Sequence, residues 1–78
     1  MNRVKLGSYR NNVSFVKYCY ERSRHKDLSK LTSEISASFP IPCIIVASFL
    51  KEIVGDTVEA NELIAFFMKE YAIDEVIE

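Results

Sequence analysis

The spacing of apolar side chains along the chain predicts a series of short helices. The first begins after Asn12, a residue type that commonly caps helices, and is expected to end near Ser23. Its apolar positions recur three or four residues apart, at Val13, Val16, Cys19 and Tyr20. The polar stretch "RSRHKD" follows and separates this helix from the next.

A second helix is predicted to begin after Asp27, whose carboxylate is suited to accept hydrogen bonds from the free N–H groups of a first helical turn. Its apolar stripe comprises Leu28, Leu31 and Ile35. The helix must end by Phe39, because the residue before a proline, here Pro40, is sterically pushed out of the helical conformation.

The third helix lies in the most apolar part of the chain. Pro42 is suited to its first turn, and Gly55 is suited to the position just beyond its end. The polar residues between them are Ser48, Lys51 and Glu52. A helix that is apolar nearly all the way round has to be surrounded by other elements. We therefore expect a central hydrophobic helix near residues 42–54.

The fourth helix is predicted to start at Asp56, which forms a capping-box pattern with Glu59 three residues later. Its apolar face comprises Ala60, Leu63, Ile64, Phe67 and Tyr71. Beyond it, residues 73–78 fit two interpretations. They continue the helix, or Asp74 caps a last short turn.

One alternative to the helical assignment concerns residues 41–49. Ile and Val favour strands, and periodicity alone does not distinguish a short buried strand from a buried helix. The apolar pattern runs on through "LKEIV" to Gly55, which is long for a strand and favours the helix.

Together these patterns predict an all-α fold, a small single-domain bundle of about four helices. The helical domain covers residues 12–78, and residues 1–11 form an irregular N-terminal arm. Within the arm, "RVKL" has the composition of a short strand but no obvious partner. Because a chain of 78 residues buries a small core, oligomerisation, for example as a homodimer, would add stability.

No pattern in the chain points to catalysis, and we expect that the protein is not an enzyme and has no cofactor. The single histidine, His25, lies in a charged turn, and no glycine-rich phosphate loop or nucleophile elbow is present. Cys19, His25 and Cys43 lack the paired close spacing of zinc ligands, so no metal site is expected. Two cysteines and a polar N-terminus favour reduced thiols and a cytoplasmic location.

The apolar stretch "SFPIPCIIVASFLKEIVGD" suggests two further functions, and neither fits. Its run from Phe39 to Leu50 is twelve residues long and contains two prolines, whereas a membrane span needs about 20 apolar residues. The outline of two short helices around "FPIP" resembles a helix-turn-helix. The start of the second helix, "IPCII", carries no side chains that hydrogen-bond to base edges, so this mode of DNA reading is not expected.

Charge is divided unevenly along the chain. Residues 1–30 contain eight basic and two acidic side chains, and residues 31–78 contain two basic and nine acidic ones. The formal net charge of −1 therefore conceals a strongly dipolar chain. Either the basic first helix lies beside the acidic fourth, or one of the charged faces meets a partner of opposite sign.

Two aromatic residues favour the second interpretation. A helical wheel places Tyr18 on the polar side of the first helix, and Phe66 on the acidic side of the fourth. Aromatic and arginine side chains are frequent energetic anchors of protein interfaces. The predicted partner-binding residues are Lys17, Tyr18, Arg22, Glu59, Glu62, Phe66 and Glu70.

The favoured hypothesis is a small non-enzymatic helical regulator or adaptor that binds or inhibits a partner protein. The alternative is a nucleic-acid-binding regulator that uses the arm and the first helix, where aromatic and basic residues are interleaved. Its candidate contacts are Arg10, Lys17, Arg22, Arg24 and Lys26. The acidic second half and a sequence pI of about 5.8 weigh against this alternative.

Overall fold

The computed structural model describes residues 2–78 as four α-helices and one two-stranded sheet. In chain order the elements are β1 (Arg3–Lys5), a 3₁₀ helix (Leu6–Asn12), α1 (Val13–Arg22), α2 (Leu28–Ser38), α3 (Cys43–Val54), α4 (Val58–Glu70) and β2 (Glu75–Ile77). The predicted four-helix, all-α fold is confirmed. The strand alternative for residues 41–49 is wrong, because α3 begins at Cys43 and continues without a break to Val54.

Helix α3 is the centre of the molecule. It packs against each of the other three helices, and residues 44–50 are buried on every side. Phe49, Ile45 and Leu50 are among the largest side chains with no access to solvent. The prediction of a central hydrophobic helix is therefore confirmed. The remaining buried apolar residues come mainly from one face of each surrounding helix: Val16, Leu28, Leu31, Ile35, Ile41, Ala60, Leu63 and Phe67.

Two buried hydroxyl groups within this core satisfy their hydrogen bonds locally. The Thr32 hydroxyl donates to the carbonyl of Leu28 at 2.8 Å, and the Ser48 hydroxyl donates to the carbonyl of Ile44 at 2.7 Å. Each bond reaches back four residues within one helix. Neither hydroxyl therefore pays the cost of an unpaired buried polar group.

The ends of α2 and α3 follow the predicted signals. The Asp27 carboxylate accepts a hydrogen bond from the Lys30 N–H at 3.0 Å, as a helix cap does. Phe39 is extended before Pro40 and ends α2. Gly55 ends α3 with a φ of +92°, a conformation that side-chain-bearing residues rarely adopt.

The start of α4 differs from the predicted capping box. Thr57, not Asp56, is the cap, and its hydroxyl accepts a hydrogen bond from the Ala60 N–H at 3.1 Å. Glu59 does not reach back to its own helix start. Its carboxylate accepts from the Leu28 N–H at 3.2 Å, because the free N–H groups at the start of α2 lie beside it. Glu59 thus joins α4 to α2.

Both ends of the chain are more regular than the sequence indicated. The arm holds β1 and the 3₁₀ helix, and residues 73–78 hold β2 instead of continued helix or a short turn. The strands are parallel, with Val4 paired to Val76. Asp74 does not cap a turn: its side chain accepts from the Asn2 N–H at 2.9 Å. No local pattern reveals a strand whose partner lies about 70 residues away along the chain.

Arg10 fastens this sheet region to the helical core. Its guanidinium donates two hydrogen bonds to the Glu52 carboxylate, at 2.8 and 2.9 Å, and forms a second two-pronged pair with Glu78. It also lies over the Phe49 ring, 5.4 Å from the ring centroid. We call the cluster of Arg10, Glu52 and Glu78 the terminal clasp. Gly7 lets the chain pass close to the backbone of Glu78, on which a side chain at position 7 would press.

Truncation inside α3 is expected to remove a large part of the stability. Ile45→Ala and Phe49→Ala should each lower the free energy of unfolding by about 2–5 kcal/mol, because each leaves a cavity in a closed core. Urea denaturation followed by circular dichroism measures the change. Val58→Ala is the matched control, because Val58 is 73% exposed and its truncation should leave the curve unchanged. Parent-like curves for both α3 variants would contradict the central role of this helix.

The terminal clasp predicts a pH dependence of stability. Hydrogen bonds from Arg10 hold the pKa of the Glu78 carboxyl below its ordinary value of 4.5. The folded state therefore binds this proton less readily than the unfolded chain, and the clasp stabilises the fold above about pH 4.5 and loses that effect as the pH falls further. The loss of stability between about pH 6 and about pH 3 should be smaller in Arg10→Gln than in the parent.

The control for this measurement is Lys17→Gln, which also removes one positive charge but no ion pair in residues 2–78. Denaturation midpoints at each pH provide the comparison. An identical pH dependence in Arg10→Gln and the parent would show that the clasp does not contribute.

Candidate functional site

The structure brings basic and acidic parts of the chain together, but at the termini. Arg3 pairs with Glu75 at 3.1 Å, and Arg10 pairs with Glu52 and Glu78. Within residues 2–78, α1 and α4 are not among the element pairs that pack closely. Charge compensation therefore takes place through the arm, and the basic first helix does not lie along the acidic fourth.

A groove runs between α1 and α2 on the surface, with a volume of about 370 Å³. Its floor is apolar, its edge is aromatic, and one end is cationic. We call it the basic groove and define it by the floor residues Cys19, Leu31 and Ile35, the edge residues Tyr18 and Phe39, and the cations Arg22 and Arg24. Leu31 and Ile35 also belong to the core, so the groove floor is part of the rigid interior.

The aromatic edge of the basic groove is accessible to a partner. Tyr18 is 57% exposed and Phe39 is 45% exposed. The Phe39 ring packs edge-to-face against Phe15, with ring centroids 4.5 Å apart, so its position is fixed from within. The Arg22 guanidinium lies 5.6 Å from the centroid of the Tyr18 ring, which aligns the cation with the edge.

The basic groove carries more positive than negative charge. No ion pair in residues 2–78 engages Arg22 or Arg24. The acidic side chain that lines the groove, Glu34, has its carboxylate 3.2 Å from the Nε2 atom of His25. An acidic side chain of a partner would thus meet two unpaired guanidinium groups.

The other predicted cations do not join this groove. Lys26 has a φ of +51° and folds back, donating hydrogen bonds to the carbonyls of Tyr20 at 2.6 Å, Glu21 at 3.1 Å and Ser23 at 2.7 Å. It therefore caps the C-terminus of α1. Lys17 is exposed but does not line the groove. Of the five candidate nucleic-acid contacts, the structure brings together Arg22 and Arg24, whereas Arg10 is in the terminal clasp.

The acidic surface of α4 is a ridge. We call it the acidic ridge and define it by Phe66 with Glu59, Glu62 and Glu70. Phe66 is 56% exposed and packs edge-to-face on Phe67, with ring centroids 5.2 Å apart. Glu62 and Glu70 lie four residues before and after it, one turn to either side on the same face. No ion pair in residues 2–78 engages either of these two carboxylates.

Sequence reasoning identified the aromatic residue of each surface but missed Phe39 as an edge of the groove. The sequence pattern predicts Phe39 only as the end of the second helix. Its extended conformation before Pro40 turns its ring toward Phe15, a contact between two helices that no local pattern contains.

A larger cavity, of about 730 Å³, lies where β1, the start of α3 and the end of α4 meet. Pro42, Cys43 and Tyr71 are among its lining residues. The neighbouring Cys43 raises the pKa of the Tyr71 hydroxyl. No local pattern in the chain indicates that these segments converge.

Metal-ligand clusters and membrane-spanning helices were both searched for in the part of the chain that the structure describes, residues 2–78. No three histidine, cysteine or acidic side chains there are arranged to hold a metal ion. Among its helices, none is long and apolar enough to span a membrane. Comparison of the chain with protein-family models, with curated proteins and with solved structures finds no match. Inference about function therefore rests on the two surfaces.

The Cys19 thiol provides a chemical probe of the basic groove. Burial raises its pKa, so little thiolate is present near neutral pH. Iodoacetamide should alkylate Cys19 more slowly than a cysteine in a short peptide, and the rate should increase with pH beyond the range in which the peptide rate has levelled off. Peptide mapping by mass spectrometry separates Cys19 from Cys43, the other free cysteine. A peptide-like rate at neutral pH would show that Cys19 is not shielded.

Proposed function

We propose that the protein is a small non-enzymatic helical regulator or adaptor that binds a partner protein through the basic groove. One observation carries this proposal. An apolar floor continuous with the core is bordered by two exposed aromatic rings and by two guanidinium groups that no ion pair in residues 2–78 engages. The exposed part of these two rings is removed from water only when another molecule covers it.

The chemistry of the groove defines the partner segment that fits it. Apolar side chains of the partner would pack against the exposed rings of Tyr18 and Phe39 that border the groove. Acidic side chains would reach Arg22 and Arg24. A groove between two helices accepts an amphipathic helix through apolar anchors spaced three or four residues apart. We therefore expect an amphipathic segment with an acidic end.

Tyr18 and Arg22 are the expected energetic anchors of this interface. Aromatic and arginine side chains dominate binding energy when partner contacts exclude water from them. An aromatic side chain buries about 150–250 Å² on complete coverage, and two of them border the groove. Arg22 is already aligned by the Tyr18 ring, so less side-chain freedom is lost when a carboxylate binds it.

Nucleic-acid binding remains the alternative, with a reduced set of residues. Arg10 and Lys26 are engaged within the protein, which leaves Lys17, Arg22 and Arg24 for phosphate contacts. These two hypotheses differ in one testable respect. Phosphate binding depends on positive charge anywhere on the face, whereas groove binding depends on the groove cations alone.

Charge reversal on α1 is the corresponding experiment. Arg22→Glu should weaken partner binding at least about tenfold, because one anchor is lost and a repulsive charge replaces it. Lys17→Glu, the same reversal on the same helix outside the groove, should leave affinity within about twofold of the parent. A photoreactive phenylalanine analogue in place of Phe39 identifies the partner, whose purified form is then titrated by calorimetry. Circular dichroism verifies that each variant is folded.

Two results would contradict the proposal. In the first, cross-linking at Phe39 captures no protein, a further copy of this chain included. In the second, Arg22→Glu and Lys17→Glu weaken binding of short DNA or RNA equally, with a steep salt dependence in the parent measured by fluorescence anisotropy. That second result would favour the nucleic-acid alternative.

A further inference from the structure

We propose that the basic groove accepts the acidic ridge of a second copy of the same chain, so that copies associate head to tail. This inference rests on the proposed function, because it names the occupant of the same groove. Each copy presents one groove and one ridge, and the contact joins two different surfaces.

The two surfaces have complementary chemistry. Phe66 is the exposed aromatic side chain of the ridge, and the groove offers an apolar floor with aromatic edges to receive it. Glu62 and Glu70 flank Phe66 by one helical turn on either side. The cations Arg22 and Arg24 lie at one end of the groove, where a carboxylate beside an inserted Phe66 would approach them.

Both surfaces carry charged side chains that the ion pairs within residues 2–78 leave unpaired. The arm cations Arg3 and Arg10 are paired with acidic residues of the second half, whereas the groove cations and the carboxylates of Glu62 and Glu70 have no such partners in residues 2–78. Because α1 and α4 do not pack closely on each other, ridge and groove of one copy do not meet. Opposite unpaired charges therefore attract between copies, and a formal net charge of −1 adds little overall repulsion.

The expected association is weak and open-ended. We expect one helical ridge in one groove to be a smaller contact than a stable interface, which buries roughly 1,200 Å² or more in total. A contact between two different surfaces leaves a free groove at one end of each assembly and a free ridge at the other, unless a ring closes. The average mass of the parent should therefore increase with concentration.

Two charge-reversal variants test the head-to-tail geometry. Arg22→Glu destroys the groove but keeps the ridge, and Glu62→Arg destroys the ridge but keeps the groove. Each alone should remain at the monomer mass of 9.0 kDa at concentrations where the parent associates. Their equimolar mixture should form a dimer and nothing larger, because one intact groove then meets one intact ridge. Sedimentation velocity on the purified full chains measures all four samples.

Lys17→Glu is the matched control, because it changes charge on α1 but leaves groove and ridge intact and should associate like the parent.

Cys19 provides an independent readout within the groove. Its alkylation rate should fall at least about twofold as the parent is concentrated, and should not change in Arg22→Glu. Thermal unfolding verifies that both reversal variants are folded. If Glu62→Arg is unstable, Phe66→Ala replaces it in the mixture.

Each outcome decides the inference. The inference is supported if the parent associates, each variant alone stays monomeric and the mixture forms a dimer. A parent that stays monomeric, variants that each self-associate, or a mixture that stays monomeric overturns it. The mixture could stay monomeric while Arg22→Glu still weakens binding of the partner protein. That result would overturn self-association and leave the proposed function standing. The absence of any groove-dependent binding would overturn both.

Discussion

The burial of α3 is the constraint on which the rest of the structure depends. Residues 44–50 are buried on every side of this helix, so it cannot lie on a surface and needs neighbours all around it. Helices α1, α2 and α4 each turn one apolar face toward it. Their outer faces are left to solvent, and Tyr18 and Phe66 lie there. The same packing that encloses α3 creates the groove between α1 and α2, whose floor is part of the core.

Charge pairing is the second determinant, and it acts selectively. The terminal clasp and the pair of Arg3 with Glu75 draw the basic arm to the acidic C-terminal part of the chain. Exposed ion pairs contribute little individually, but here they accompany strand pairing and a cation over the Phe49 ring. In residues 2–78, no ion pair engages the groove cations Arg22 and Arg24 or the ridge carboxylates of Glu62 and Glu70, and we propose that these groups serve recognition.

Features that depend on residues close together in the sequence were predicted, and features that depend on distant residues were not. Local signals predicted the four helices, the Asp27 cap and the Gly55 end, because spacing and caps depend on neighbours along the chain. The parallel strands, the terminal clasp and the bond from Glu59 to α2 depend on residues distant in sequence, and all three were missed or misassigned. Helical wheels placed Tyr18 and Phe66 correctly on exposed faces. The wheels could not show that Arg10 and Lys26 are engaged or that Lys17 lies outside the groove.

We propose that the two charged surfaces recognise each other between copies of the chain, and that α3 is the scaffold that holds them in place. Amide spectra of the ¹⁵N-labelled chain, recorded over increasing protein concentration, test this most directly. We expect the amide signals of the basic groove and of the acidic ridge to shift together as the concentration increases, and the amide signals of residues 44–50 to stay unchanged. Shifts centred on α3, or an unchanged spectrum at every concentration, would contradict it.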